Sequence, residues 1–165
     1  MYIATMSDSA FSHPKPPPGT PAAALRQIRT ALLVLIIVAC LGTTVELLLL
    51  EHYDDPWQFT PLVLLPLGAM VIGWHARRPG RASLGALRVV MALFLASGAV
   101  GSLLHYLGNA EFARERMPEL RGAALFREAI TGATPALAPG TMMLLGALGL
   151  LYALAARSDV RPPRA

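Results

Sequence analysis

Long apolar runs constrain the fold of this chain more than any other feature of its sequence. Residues 31–50 carry no charge except Glu46, and residues 89–107 carry no titratable side chain before His105. An α-helix rises about 1.5 Å per residue, so about 20 residues cross a hydrocarbon core of about 30 Å. Both runs therefore have the length and composition of transmembrane helices.

Two shorter apolar runs complete the pattern. They are bordered by aromatic side chains that favour a membrane interface, namely Trp57, Trp74 and Tyr152. The whole chain is 55% hydrophobic and 15% charged, with a mean hydropathy of +0.52, which is typical of a membrane protein. The sequence predicts an all-α integral membrane protein, an up-down bundle of four transmembrane helices at about 31–50, 61–76, 87–107 and 138–156.

The basic residues predict the orientation of this bundle. One side carries the chain termini and the connection between the second and third predicted helices. Its basic residues are Lys15, Arg26, Arg29, Arg77, Arg78, Arg81, Arg88, Arg157, Arg161 and Arg164. The first connection on the other side has only the acidic residues Glu51, Asp54 and Asp55. By the positive-inside rule, we expect both termini in the cytoplasm.

Arginine accounts for thirteen of the fourteen basic residues, which is typical of a GC-rich bacterial genome. We therefore expect a multi-pass protein of a bacterial inner (plasma) membrane. The net charge is +4, but the arginines follow the topology and do not form one patch. The expected partner is accordingly the lipid bilayer, and no nucleic acid.

The segments outside the apolar runs differ in composition. Residues 1–28 are rich in proline and are expected to form a disordered cytoplasmic tail, and residues 158–165 a second tail. The transmembrane domain then spans residues 29–157. Its second outer loop, 108–137, is too long for a simple connection, and residues 119–131 have the pattern of a short helix on the membrane surface.

Two short motifs recur along the chain. The first and third apolar runs end in "LLEHY" and "SLLHY", which contain the pairs His52-Tyr53 and His105-Tyr106, and the second and fourth begin with Thr-Pro. This recurrence favours two repeated hairpins related by a pseudo-two-fold axis along the membrane normal. On this hypothesis both His-Tyr pairs lie at the outer end of one bundle.

Small residues predict which face of each helix packs against other helices, because they let helices approach closely in lipid. His105 follows Gly98 and Gly101 at helical spacing, so we expect it to face the bundle. Glu46 follows Gly42 by four residues and precedes Tyr53 by seven. The same argument predicts that Glu46 and Tyr53 face inward.

These placements predict a polar site in the outer leaflet. A glutamate buried in a membrane must be protonated, hydrogen-bonded or paired, and imidazoles with carboxylates are common transition-metal ligands. The predicted metal ligands are His52, His105, Glu46, Asp54, Asp55 and Glu111, and the predicted pocket-lining residues are Tyr53, Tyr106, Asn109 and Gln58. The expected cofactor is a transition metal, or a haem between the two histidines, although no HxxxH or HExxH motif is present.

Three functions are compatible with such a chain. The first is a non-catalytic accessory or interaction subunit that docks a membrane protein or a second copy of itself. The second is a metal- or haem-binding protein that uses His52 and His105. The third is a small proton-coupled transporter in which Glu46 titrates, although the inner halves of the helices offer no polar residue except Arg88. Because hydrolase, nucleotide-binding and thiol-redox motifs are absent from the sequence, we do not expect an enzyme.

Two other residues have alternative interpretations. The tetrapeptide at 37–40 has the form of a lipoprotein signal-peptidase site, which would lipidate Cys40. The apolar run continues for ten residues beyond the cysteine, so a core side chain within a helix is favoured. His75 lies between Trp74 and the arginines at the cytoplasmic end of the second helix, and we expect it to be an interface residue without a functional role.

Overall fold

The computed structural model describes residues 17, 19–135 and 137–156, and these residues form an all-helical fold. Within them, five α-helices follow one another, with a short 3₁₀ turn at Pro56–Gln58. They are α1 (Pro21–Leu49), α2 (Phe59–Arg77), α3 (Arg81–Arg116), α4 (Gly122–Ile130) and α5 (Gly140–Ala155). The helices α1 and α3 and the segment Pro56–Arg77 are long and apolar enough to cross a membrane, while α5 is shorter, at 16 residues. The predicted all-α fold is confirmed, and three helical segments have the length and composition of membrane spans.

The four longest helices form a bundle around one apolar core. α1 packs on α2 and α5, and α3 packs on α2 and most extensively on α5. The side chains of Ile36, Leu65, Leu87, Met91 and Phe94 are fully buried at its centre. We call the end with the α1–α2 connection and α4 the outer end, and the end with the α2–α3 connection the inner end. Many large apolar side chains remain exposed on the outside, as expected for helices in contact with lipid.

Glycines bring α3 and α5 into close contact. A Cβ atom on Gly98 would lie 2.7 Å from the carbonyl oxygen of Pro139, and one on Gly146 would lie 2.6 Å from the carbonyl oxygen of Met91. Backbone atoms cannot move aside as a flexible side chain can, so these positions require glycine. The prediction that the glycine face of the third helix packs inside the bundle is confirmed.

The first helix begins earlier than predicted. Residues 21–28 were expected in a disordered tail, but α1 starts at Pro21 because Thr20 caps it. The Thr20 hydroxyl oxygen accepts the backbone N–H of Ala23 at 3.3 Å, and proline suits the first helical position because its missing N–H has no partner to lose there. The rest of the predicted N-terminal tail, except residues 17, 19 and 20, and the whole C-terminal tail lie outside the described residues.

The third helix is also longer than predicted, and it replaces the beginning of the expected outer loop. α3 runs to Arg116 because α4 covers its extension: Ala110 and Ala113 are buried against Leu125 and Ala129. An apolar stripe that continues along a helix remains stable where a second helix buries it. The short helix predicted within 119–131 is present as α4, packed on α3.

The two sequence repeats do not have equivalent local structures. His52 follows the end of α1, where Glu51 adopts a left-handed conformation with φ 52°, whereas His105 lies inside α3. Thr60 belongs to the first turn of α2, but Thr134 precedes α5 by six residues. The recurrence therefore does not describe matching hairpins at the level of individual residues.

Candidate functional site at the outer end

Two histidines from different parts of the chain meet at the outer end of the bundle. The rings of His52 and His105 have centroids 6.3 Å apart and planes inclined at 60°. His52 is held by the turn that ends α1, where its backbone N–H donates to the carbonyl of Leu47 at 2.9 Å. His105 is carried by the rigid α3 helix. The pair therefore joins the α1–α2 connection to α3.

A backbone carbonyl orients the His105 ring. Its Nδ1 atom lies 3.0 Å from the carbonyl oxygen of Pro135, in the connection between α4 and α5. A carbonyl oxygen can only accept a hydrogen bond, so Nδ1 carries the proton. In the neutral ring this leaves the lone pair on Nε2, which is the arrangement found in metal-binding histidines.

The environment of His52 favours its neutral form. Partial burial lowers the pKa of His52, and the neighbouring His105 lowers it further, while Asp54 acts in the opposite direction. Neutral imidazole is also the form that binds metal ions or accepts a hydrogen bond. His52 is therefore available as a ligand or an acceptor over the neutral pH range.

Asn109 fixes the connection that carries Pro135. Its side chain is buried, and its amide nitrogen donates to the carbonyl oxygens of Ala129 at 2.9 Å and Thr134 at 2.6 Å. Its amide oxygen accepts the backbone N–H of Thr134 at 3.2 Å. A Cβ atom on Gly132 would lie 2.6 Å from the Asn109 side chain, so the connection passes directly over it. Asn109, which was predicted to line a pocket, instead anchors this connection and so positions the carbonyl that orients His105.

Two other predicted site residues stabilise the α1–α2 connection. The side-chain oxygen of Gln58 accepts the backbone N–H groups of Asp54 at 2.8 Å and Asp55 at 3.2 Å. An Asp55 carboxylate oxygen accepts the backbone N–H of Trp57 at 2.8 Å. These bonds satisfy backbone groups at the start of the 3₁₀ turn.

Tyr106 belongs to a different surface. Its ring lies 5.8 Å from that of Phe126 in α4, measured between centroids. Together with Ser102, Leu103, Ile130 and Leu137, these two rings line an open apolar groove between α3 and α4.

The inward orientation predicted for Glu46 and Tyr53 is wrong. The buried face of α1 carries Leu33, Ile36 and Cys40, and Glu46 lies ten residues after Ile36, about 280° around the helix. The Glu46 side chain is exposed, and Tyr53, 41% exposed, lies beyond the end of α1. The prediction failed because α1 packs through large apolar residues and turns its Gly42 outward.

The predicted metal ligands do not assemble as a set. Asp54, Asp55 and Glu111 are exposed, as is Glu46. In the part of the chain that the structure describes, no group of three or more His, Cys, Asp or Glu side chains could hold one metal ion. The contact between His52 and His105 is the part of the predicted set that the fold brings together.

The inner end contains a polar cluster that the sequence did not reveal. His75 and Ser83 are 5% and 2% exposed, and the His75 Nδ1 lies 2.9 Å from the Ser83 Oγ. The Tyr152 ring meets His75 edge-on, with centroids 5.7 Å apart. These side chains come from α2, α3 and α5, so no local sequence pattern marks them; the single hint was a serine three residues after the glycine that precedes α3.

Two arginines cap the inner end of α5. Nη2 of Arg29 donates to the carbonyl of Ala155 at 2.7 Å, and Nη2 of Arg88 donates to the carbonyl of Ala153 at 3.0 Å. The last carbonyls of a helix have no partner within it and carry partial negative charge. The arginines therefore satisfy groups that lipid could not.

No protein-family model, curated protein or solved structure matches this chain.

Proposed function

We propose that this protein is a non-catalytic interaction subunit of a bacterial inner membrane, which docks a transmembrane helix of another protein on the exposed side of α1. One observation carries the proposal. The Glu46 carboxylate lies on the outside of a membrane-length helix, and within the described residues it has no hydrogen bond or ion pair. Four leucines follow it, so the apolar run continues past the charge. A carboxylate in contact with lipid is unfavourable, and a donor on a partner helix would relieve that cost.

The surface around Glu46 suits a close helix contact. Leu35, Gly42 and Glu46 lie within about 40° of one another around α1, and all three are exposed. We call them the Glu46 face. A Cβ atom on Gly42 would meet nothing within 4 Å, whereas Gly98 and Gly146 already lie in the contact between α3 and α5. Gly42 would let a second backbone approach, with Glu46 one turn away as a polar contact.

Charge favours a different protein over a second copy. A dimer through the Glu46 face with its two-fold axis along the membrane normal brings residues of equal depth together, so Glu46 would meet Glu46. The basic residues of α1, Arg26 and Arg29, lie near its other end. The partner helix is therefore expected to carry a hydrogen-bond donor, such as arginine, lysine or an amide, in the outer leaflet.

The proposal includes a four-span topology with cytoplasmic termini. α5 is about 24 Å long, shorter than a typical hydrocarbon core of about 30 Å, but a bundle can thin the bilayer locally. Arg77, Arg78 and Arg81 lie at the inner end, as the positive-inside rule requires. A single cysteine at Met117, in a Cys40→Ala background, should react with a membrane-impermeant maleimide from the periplasmic side, and one at Arg81 should not.

Photocrosslinking in native membranes tests the docking. A photoreactive amino acid replaces Leu35, and control proteins carry it at Val63 of α2 or Leu144 of α5, which are 62% and 59% exposed. We expect one discrete adduct from position 35 that is absent at both controls. In the same protein, Glu46→Leu should abolish the adduct, whereas Glu46→Gln, which keeps hydrogen bonding, should retain part of it.

The mass of the adduct identifies the partner. A mass equal to two copies of this chain would replace the proposed heteromeric contact with self-association. An adduct that survives Glu46→Leu, or that forms equally at the control positions, would contradict a role for the Glu46 face.

A second candidate function rests on the histidine pair. Because the Pro135 carbonyl orients His105 and because His52 favours its neutral form, the two rings could bind one transition-metal ion, with water completing its coordination. With metal–nitrogen bonds of about 2 Å, a tetrahedral ion would hold the two ring centroids roughly 5 Å apart, so the rings, now 6.3 Å apart, would move closer together on binding.

Elemental analysis with an ultraviolet-visible spectrum tests this candidate. Detergent-purified protein is compared with the His52→Ala/His105→Ala double variant and with His75→Ala as a histidine control. Near-stoichiometric metal that is lost only in the double variant supports the site. Metal-free protein that also fails to bind added Zn²⁺ or Cu⁺ rules out this function.

A further inference from the structure

A groove between α3 and α5 near the inner end combines an apolar wall with one arginine. Val89, Ala92, Leu150 and Leu154 line it together with Arg88, and it opens on the outside of the bundle with a volume of roughly 430 Å³. In a membrane this surface faces the acyl chains. The arginine is the feature that acyl chains alone do not explain.

The Arg88 guanidinium is only partly satisfied. Its Nη2 donates to the Ala153 carbonyl, but its Nε is buried and has no hydrogen-bond partner among the described residues. A guanidinium has five N–H donors, and a buried donor without an acceptor is costly. Among the described residues the α5 terminus supplies one acceptor and no carboxylate pairs with this guanidinium, so an anion in the groove could still bind its Nη donors.

The position of Arg88 along α3 directs it to the inner membrane surface. Arg88 follows Arg81, the first residue of α3, by seven residues, or about 10 Å of helix. Side chains on a helix lean toward its N-terminus, which for α3 is the inner end, and a long arginine extends its charge toward the interface. The guanidinium therefore lies near the depth of lipid phosphates, with Arg77, Arg78 and Arg81 at the same end of the bundle.

We propose that this groove is a binding site for an anionic phospholipid of the inner leaflet. One acyl chain lies along Val89, Ala92, Leu150 and Leu154, and the phosphate accepts hydrogen bonds from Arg88. A phosphate provides the planar guanidinium with the paired acceptors that it binds best. The lipid would also brace the contact between α3 and the end of α5, where Arg88 already caps Ala153.

Native mass spectrometry of the full chain in detergent tests the proposal. The protein is incubated with phosphatidylglycerol or with phosphatidylcholine of the same acyl chains. We expect the phosphatidylglycerol adduct to exceed the phosphatidylcholine adduct by about fivefold, the factor that one cation contributes near an anionic surface. Inorganic phosphate should not displace it, because the acyl chain contributes to binding; displacement would indicate a simple anion site.

Two variants distinguish the contribution of the lipid headgroup to binding from that of the acyl chain. Arg88→Gln keeps a donor for the Ala153 carbonyl but removes the charge, and should reduce the preference to about one. Ala92→Phe fills the groove without altering Arg88 and should weaken both adducts. Ala99→Phe, seven residues further along the same face of α3, should not.

Arg81→Gln removes an equal charge outside the groove. If it lowers the preference as much as Arg88→Gln does, the attraction is diffuse and the site is refuted. Equal adducts for the two lipids in the wild-type protein would refute it as well.

Discussion

The Nδ1 atom of His75 lies 2.9 Å from the hydroxyl oxygen of Ser83, and both side chains are buried where α2 ends and α3 begins. The same hydroxyl lies 3.1 Å from the backbone nitrogen of Gly80, whose N–H it accepts, and 3.0 Å from the carbonyl oxygen of Arg78. One serine therefore closes the inner connection between two helices and satisfies a buried imidazole.

This relationship predicts the effect of Ser83→Ala. The substitution leaves the His75 nitrogen and the Gly80 N–H without their partner, so the free energy of unfolding should fall by about 1–3 kcal/mol. Unfolding in mixed micelles by increasing amounts of a denaturing detergent measures it. Ser97→Ala removes the same atoms from a half-buried position of α3 and serves as the control. Equal effects of the two substitutions would contradict a special role for Ser83.

Substitution of Asn109 should lower the free energy of unfolding more than substitution of any exposed residue at the outer end. Asn109→Leu removes three hydrogen bonds and leaves backbone groups of Ala129 and Thr134 unsatisfied, so we expect a loss of at least about 2 kcal/mol and faster proteolysis of the α4–α5 connection. Limited proteolysis and thermal unfolding report the two effects. The exposed neighbour Glu111→Ala should change neither, and a stable, protease-resistant Asn109→Leu protein would show that the connection is held by other contacts.

Substitution by alanine should have opposite effects on thermal stability at Gly146 of α5 and at Gly42 of α1. Gly146→Ala places a methyl group 2.6 Å from a backbone oxygen of α3 and should separate α3 from α5, which lowers thermal stability. Gly42→Ala meets open space and should leave the isolated protein as stable or slightly more stable, because alanine favours helix. Melting of the two purified variants in one detergent checks this, and a destabilising Gly42→Ala would show that this side of α1 is packed.

Acid pH should lower the stability of the folded protein through protonation of His52 at the outer end. Its folded-state pKa lies below the ordinary value, so protonation is harder in the folded than in the unfolded protein. The stabilising contribution is therefore complete above the unfolded pKa of about 6.5 and declines as the pH falls below it. Between about pH 8 and about pH 5, the melting temperature of the wild type should fall more than that of His52→Gln.

His105→Gln provides a second check on the same pair. Removing His105 removes one of the influences that lower the His52 pKa, so the acid transition should shift to higher pH. An NMR titration of His52 in the variant measures that shift directly. An unchanged titration would mean that His105 does not contribute to the pKa of His52.

Much of the architecture follows from the sequence because it depends on composition over long segments. An apolar run of about 20 residues has few alternatives to a membrane-length helix, so α1, α2 and α3 could be placed before the structure was known. The glycine face of α3 was also predictable, since several small residues recur there at helical spacing. The extent of α3 was not, because its continuation depends on burial beneath α4, a partner separated along the chain.

The candidate sites show the same division between local pattern and tertiary contact. The sequence by itself determined which titratable groups exist and placed His52 and His105 at the outer ends of their apolar runs. Only the tertiary structure decided that the two rings meet, that Glu46 faces outward, and that Asn109 anchors the α4–α5 connection. The physical reason is that the rotation of each helix in a bundle is set by how all the helices pack together, and in this bundle α1 packs through Ile36 and Cys40 and leaves Gly42 on the outside.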